Sequence, residues 1–99
     1  MNIDKVIETA EKLPGYYGYR PVFVGTEFTI KEVVFRLEDD EKNVEYLVIL
    51  FCEEGTFLDS LIDVRYDDGS IATIDENDGE FKEIIGHKNK IMRALNSIR

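Results

Sequence analysis

Among 99 residues there is one cysteine, Cys52, and one histidine, His87. A thiolate nucleophile needs a base beside it, so these two make the single Cys/His pair that the composition permits. Their settings argue against the pairing. Cys52 closes the most apolar run of the chain, Val44 to Cys52, and His87 falls in the basic end of a helix-patterned segment. Cys52 therefore reads as a small buried hydrophobe. Two such residues are too few for a structural zinc site, and a lone thiol suits a reducing compartment.

Carboxylates are the abundant reactive groups, in the clusters Asp39-Asp40-Glu41, Asp67-Asp68 and Asp75 to Glu80. Carboxylate oxygens are the preferred ligands of divalent cations, but placing Gly79 at the sixth position of an EF-hand loop puts Ile74 first and Ile85 twelfth, where acids are required. The preferences of Asp for turns and helix caps account for these clusters without a metal. Gly15 and Gly18 lack the spacing of phosphate-binding glycine motifs, and no P-loop lysine follows them. No cofactor is expected. Tyr16, Tyr17 and Tyr19 are different, because tyrosine offers a large contact area with few rotors and is enriched at binding hot spots. Covering an open end of the core is their alternative role.

The charge is unevenly distributed. Residues 1–26 carry three acids and three bases, residues 27–83 eighteen and five, and residues 84–99 none and four, giving 0, −13 and +4, which sum to −9. Such a balance argues against direct binding to nucleic acid or an anionic membrane, both of which need a basic surface. It suits a protein partner with a basic surface. Carboxylates spaced along strands and turns could also imitate phosphates and occupy the basic groove of a nucleic-acid-binding partner.

The elements that must position these residues follow from periodicity. Ile3, Val6, Ile7, Ala10 and Leu13 recur at helical spacing, so Asp4 to Lys12 is expected as a short helix ended by Pro14-Gly15. The tyrosines then fall in a turn-rich connector before a short edge strand, Val22 to Val24. Phe28 and Ile30 share one parity and Val33, Phe35 and Leu37 the other, so a bulge at Lys31–Glu32 is expected to restore one buried face. Asp39 to Asn43 joins this strand to Val44 to Cys52, whose alternate residues are apolar on both sides. The pattern supports Ile62 to Tyr66 as a further strand. Asp67-Asp68-Gly69-Ser70 predicts a type I′ hairpin turn pairing Tyr66 with Ile71 and Val64 with Thr73. From Phe81 to Ile98 apolar residues recur at helical spacing, with Lys88 among them, and Gly86 marks a close approach to the sheet or a break.

The reading is one α+β domain over residues 1–99: about five strands in an antiparallel meander, a short N-terminal helix and a long C-terminal amphipathic helix, with a small SH3-like barrel as the alternative. The opening residues lack a leader pattern and no apolar run reaches membrane length, so the expected setting is the cytoplasm. The expected function is a non-catalytic acidic protein-binding module, of adaptor, inhibitor or immunity type, with Tyr16, Tyr17, Tyr19, Asp39, Asp40, Glu41, Asp67 and Asp68 as contact residues. A small-molecule site or small enzyme with a pocket between sheet and C-terminal helix is one alternative. A homodimer or oligomer, motivated by the two-faced apolar strand, is the other.

Overall fold

Val44–Glu53 forms the central strand of an open five-stranded sheet in a computed structural model that describes residues 3–24, 28–53 and 56–97, with side chains described within 4–20, 32–52 and 59–97. Helix α1 (Ile3–Glu11) precedes the strands β1 (Tyr16–Val24), β2 (Phe28–Asp39), β3 (Val44–Glu53), β4 (Thr56–Tyr66) and β5 (Ile71–Thr73). A 3-10 turn, Gly79–Phe81, then runs into α2 (Lys82–Asn96). All pairings are antiparallel and the order is β1-β2-β3-β4-β5, so the sheet is a meander that does not close, and the barrel alternative falls. No described helix is long and apolar enough to cross a membrane.

Both helices lie on one face. Tyr46, Val48, Leu50 and Cys52 of β3 are buried with Val33 and Phe35 of β2 and Ile62 and Val64 of β4. Val6, Ile7 and Ala10 of α1 and Ile84, Ile91 and Leu95 of α2 belong to the same cluster. Removing each large apolar side chain from water is worth about 1.5–3 kcal/mol, so this one layer is the core. The other parity of β3, Leu47, Ile49 and Phe51, is only half-buried, and no element among the described residues covers it.

Several expectations are corrected. The tyrosine segment is strand rather than connector, in keeping with the β preference of aromatic residues; the turn spans Lys12 to Gly15, where Gly15 has φ +86°. An irregularity between Tyr16 and Gly18 absorbs one extra residue of β1. Strand β2 pairs with β3 without a register shift, so there is no bulge at Lys31–Glu32. Glu32 instead occupies the uncovered face, where its carboxylate accepts from Arg20 Nε at 2.5 Å. Strand β4 begins at Thr56, before the expected Ile62. Ile98 lies outside the described residues, as do parts of the segments between β1 and β2 and between β3 and β4.

The β4–β5 hairpin differs by one residue. Tyr66 N–H donates to Ser70 O at 2.9 Å and Gly69 N–H to Tyr66 O at 3.0 Å, while Arg65, Val64 and Asp63 pair with Ile71, Ala72 and Thr73. Only Gly69, at φ +87°, takes a positive φ here. This is a three-residue loop with glycine in the left-handed position, and it spares Asp68 the left-handed backbone a type I′ turn would demand. A one-residue slip exchanges the faces of a strand. Ile71 and Thr73 therefore share the uncovered face with Arg65 and Asp63.

Helix α2 passes through Gly86 without a break, and a Cβ there would meet nothing within 4 Å, so neither role expected of Gly86 applies. Lys88 is buried on the core-facing side of α2, where its ammonium pairs with Glu76 from the segment before the helix. That pairing explains a lysine in an apolar repeat.

Candidate functional site

The meander sends the β2–β3 and β4–β5 turns to the same end of the sheet. There Asn43 Nδ2 donates to Asp67 Oδ2 at 3.1 Å, joining the Asp39-Asp40-Glu41 cluster to Asp67-Asp68. Asn43 holds a left-handed φ of 55°, which asparagine tolerates. A hollow of about 300 Å³ lies between the turns, bordered by Asp39, Asp40, Asn43, Arg65, Tyr66 and Asp67. Several of the acids also shape their own loops: Asp39 Oδ1 accepts from Lys42 N–H at 3.2 Å, and Asp68 Oδ1 accepts from the Ser70 amide at 2.8 Å and its hydroxyl at 2.6 Å. The Ser70 hydroxyl and then its amide hold the Asp68 carboxyl below the usual range. Asp40 and Glu41 project from their turn into solvent.

The start of α2 adds carboxylates that sequence reasoning did not assign to this end. Asp78 caps the 3-10 turn by accepting from Glu80 N–H at 3.0 Å. Glu80 of the 3-10 turn and Glu83 in the first turn of α2 border a second hollow of about 120 Å³ with Asp39, Tyr46, Phe81 and His87. Tyr46 is 6% exposed. Burial first, then the negative charge of Asp39 and Glu80, raise its phenol pKa. An apolar recess of about 280 Å³, formed by Leu13, Pro14, Leu37 and Ile91, continues past His87. The i, i+3 spacing of Glu80 and Glu83 was the available sequence signal, but only the fold places them opposite Asp39.

The tyrosines separate. Tyr16 packs on Phe35, with ring centroids 6.0 Å apart and planes at 75°, and joins the rim of the core. Tyr17 and Tyr19 are exposed, by 67% and 49%. Both border a depression of about 350 Å³ on the uncovered face, floored by Gly18, Val34, Leu47 and Ile49.

That face carries its own ion pairs. Arg36 Nη2 lies 2.7 Å from Glu45 and 3.2 Å from Glu38, and Arg65 Nη2 lies 2.9 Å from Glu45. The hydrogen bond from Arg36, aided by the charge of both arginines, lowers the Glu45 pKa against the opposing effect of burial. Asp63 Oδ1 accepts from Thr73 Oγ1 at 2.8 Å across the β4–β5 ladder.

Cys52 and His87 are not brought together. Cys52 is fully buried, its thiol donating weakly to Leu50 O at 3.9 Å, and burial pushes its pKa up to about 11. His87 borders the hollow at Tyr46, six residues along β3 from Cys52, which corresponds to about 20 Å of strand. Among the described residues, no group of three or more His, Cys, Asp or Glu side chains is arranged to hold a metal ion. Comparisons with protein-family models, curated proteins and solved structures found no match. The fold and site define an open-faced α+β domain with a carboxylate-rich end.

Proposed function

We propose that the protein is a non-catalytic binding module whose acidic end docks on the basic surface of a protein partner. The observation that carries this reading is the meeting of two acidic turns, 24 residues apart along the chain, through the Asn43–Asp67 hydrogen bond. Glu80 and Glu83 extend the same sign of charge around Asp39. Concentrated charge of one sign steers and orients a complementary partner. Tyr17, bordering the same end of β2 beside Arg36 and Glu38, supplies an exposed aromatic contact next to the acids. In its sharper form the partner is a nucleic-acid-binding protein whose basic groove the carboxylates occupy in place of phosphates.

The test compares the full chain with a variant carrying Asp39→Lys, Asp40→Lys, Asp67→Lys and Asp68→Lys, after circular dichroism confirms that both fold. A partner retained at low salt should be released at about 0.5 M salt, where screening reaches within a few ångströms, and the variant should not retain it. Competition of that complex by duplex DNA identifies the mimic form. Equal retention by protein and variant refutes the proposal.

A second reading, a small-molecule site between sheet and α2, is favoured by the hollow that joins Glu80, Glu83 and Asp39 to the apolar recess at Leu37. Its chemistry suits an amine with an apolar tail. Titration with hexylamine, followed by NMR shifts at Tyr46 and His87, should show saturable binding that Glu83→Gln weakens, and unchanged spectra eliminate this reading.

A further inference from the structure

The uncovered face of the sheet forms a grid whose rows are fixed by the register. On β2 it presents Glu32, Val34, Arg36 and Glu38; on β3, in the same rows, Phe51, Ile49, Leu47 and Glu45; on β4, Asp59, Leu61, Asp63 and Arg65. The apolar centre is a cross: Val34, Ile49 and Leu61 along one row, and Phe51, Ile49 and Leu47 along β3.

We infer that this face is the interface of a homodimer, two sheets packed face to face about a two-fold axis that runs along β3. Such an axis keeps the rows and exchanges β2 with β4. Ile49, Leu47 and Phe51 then meet their own copies, and Val34 meets Leu61. Arg36 faces Asp63 of the second copy, and Glu38 faces Arg65, each twice by symmetry. Glu32 faces Asp59, a like-charged contact in which Glu32 is already bonded to Arg20. Glu45 meets its own copy while held between Arg36 and Arg65. The face is thus complementary to itself in charge and in apolarity, which an isologous interface requires.

With strands about 4.8 Å apart and a rise of about 3.4 Å per residue, the part of the face that meets its own image, β2 to β4 over about ten residues, covers about 490 Å². Two copies cover about 980 Å², at the lower end of specific interfaces. The sheet edges are poorer sites. Beyond Ile62, whose carbonyl accepts from Ile74 N–H, the outer edge of β4 is not paired by β5. There the outward Ser60 amide donates to Asp59 Oδ1 at 2.8 Å. On the opposite edge strand, Pro21 lacks an amide proton. Sheet-on-sheet packing leaves the acidic turns at the rim, where Arg65 and Tyr17 border both surfaces.

Sedimentation equilibrium of the full chain, from about 1 µM to about 1 mM, should show a shift from 11.5 kDa to twice that mass. Ile49→Asp places an unpaired charge at the centre and should weaken association at least about 30-fold, with the circular dichroism spectrum unchanged because Ile49 lies outside the helix-covered core. Glu38→Arg and Arg65→Glu test the axis. Each alone sets like charges opposite each other and should be monomeric, whereas their equimolar mixture restores opposite charges at both sites and should dimerise. A chain that stays monomeric throughout, a dimer that survives Ile49→Asp, or a mixture no tighter than its components overturns the inference. Failure there leaves the retention assay with the four-lysine variant untouched, since those substitutions are on the turns.

Discussion

Substituting Gly15 by alanine tests the junction at which α1 hands the chain to the sheet. Gly15 sits at φ +86°, and an added Cβ would lie 2.7 Å from Leu37 Cδ2 and 3.0 Å from the Arg36 carbonyl oxygen. Its own carbonyl accepts from Arg36 N–H at 2.7 Å, tying the two backbones together at the start of the β1–β2 ladder. Left-handed backbone costs an L-residue about 1–2 kcal/mol. Leu37 can swing, because it borders the hollows on either side of His87, but the Arg36 carbonyl is held by the ladder. Overpacking of this kind adds about 1–3 kcal/mol, partly relieved by Leu37, so Gly15→Ala should destabilise the domain by about 2–4 kcal/mol.

Three other glycines calibrate that figure. Gly69 has φ +87° and open space around its Cβ position, so Gly69→Ala should cost the backbone strain alone, about 1 kcal/mol. Gly18 has neither a positive φ nor a neighbour within 4 Å, and Gly86 lies in open space on a continuous helix. Gly18→Ala should be neutral to slightly stabilising, and Gly86→Ala should add about 1 kcal/mol. Urea denaturation gives all four values on one scale, and thermal melts should follow at about 4–8 °C per kcal/mol. A Gly15→Ala variant within about 0.5 kcal/mol of Gly69→Ala would refute the close approach of Gly15 to β2.

The ion pair of Lys88 and Glu76 gives an asymmetric expectation. With the lysine side chain 9% exposed and the glutamate 43%, Glu76→Gln strands the ammonium and should cost about 1–2 kcal/mol in urea, whereas Lys88→Met should cost less than about 1 kcal/mol or stabilise. Cys52 should react with iodoacetamide at pH 7 only as fast as the domain opens, since its thiol is buried and protonated. Its raised pKa means that the native state keeps the proton while the unfolded thiol, ionising near 9, releases it. The stability linked to Cys52 should therefore be complete below about pH 9 and decline as pH rises through about 11. Comparing the chain with Cys52→Ala by urea titration across that window isolates the contribution, and parallel curves would refute it.

Much of the architecture was legible because periodicity and turn chemistry act locally. The period of 3.6 marks α1 and α2, and the polar residues 39–43 and 67–70 mark the hairpins that make the sheet a meander. What sequence patterns missed depends on partners distant in the chain. The change of apolar parity in β2 suggests a bulge, yet the strand keeps its register with β3, and Glu32 on the uncovered face is satisfied by Arg20, twelve residues earlier. The same limit applies to Lys88 and Glu76. Asp-Gly at positions 68–69 was identified correctly as a turn, but the loop resolved to three residues through bonds at Tyr66, and the register moved by one.

That single step alters the uncovered face. In the expected register Ile71 would have stood opposite Tyr66, on the parity of the helix-covered core; in the observed register it stands opposite Arg65, exposed by 58%. The acidic turns could be assigned to one end from the meander alone, because consecutive hairpins alternate ends. The complementarity of β2 and β4 about β3 could not, because it requires every row to be known: Arg36 with Asp63 beside Leu47, and Glu38 with Arg65 beside Glu45. The apolar pattern of Val44 to Cys52 demanded a cover for two faces, and the two helices supply one. The second face stays open among the described residues, and it is the face that the proposed homodimer would cover.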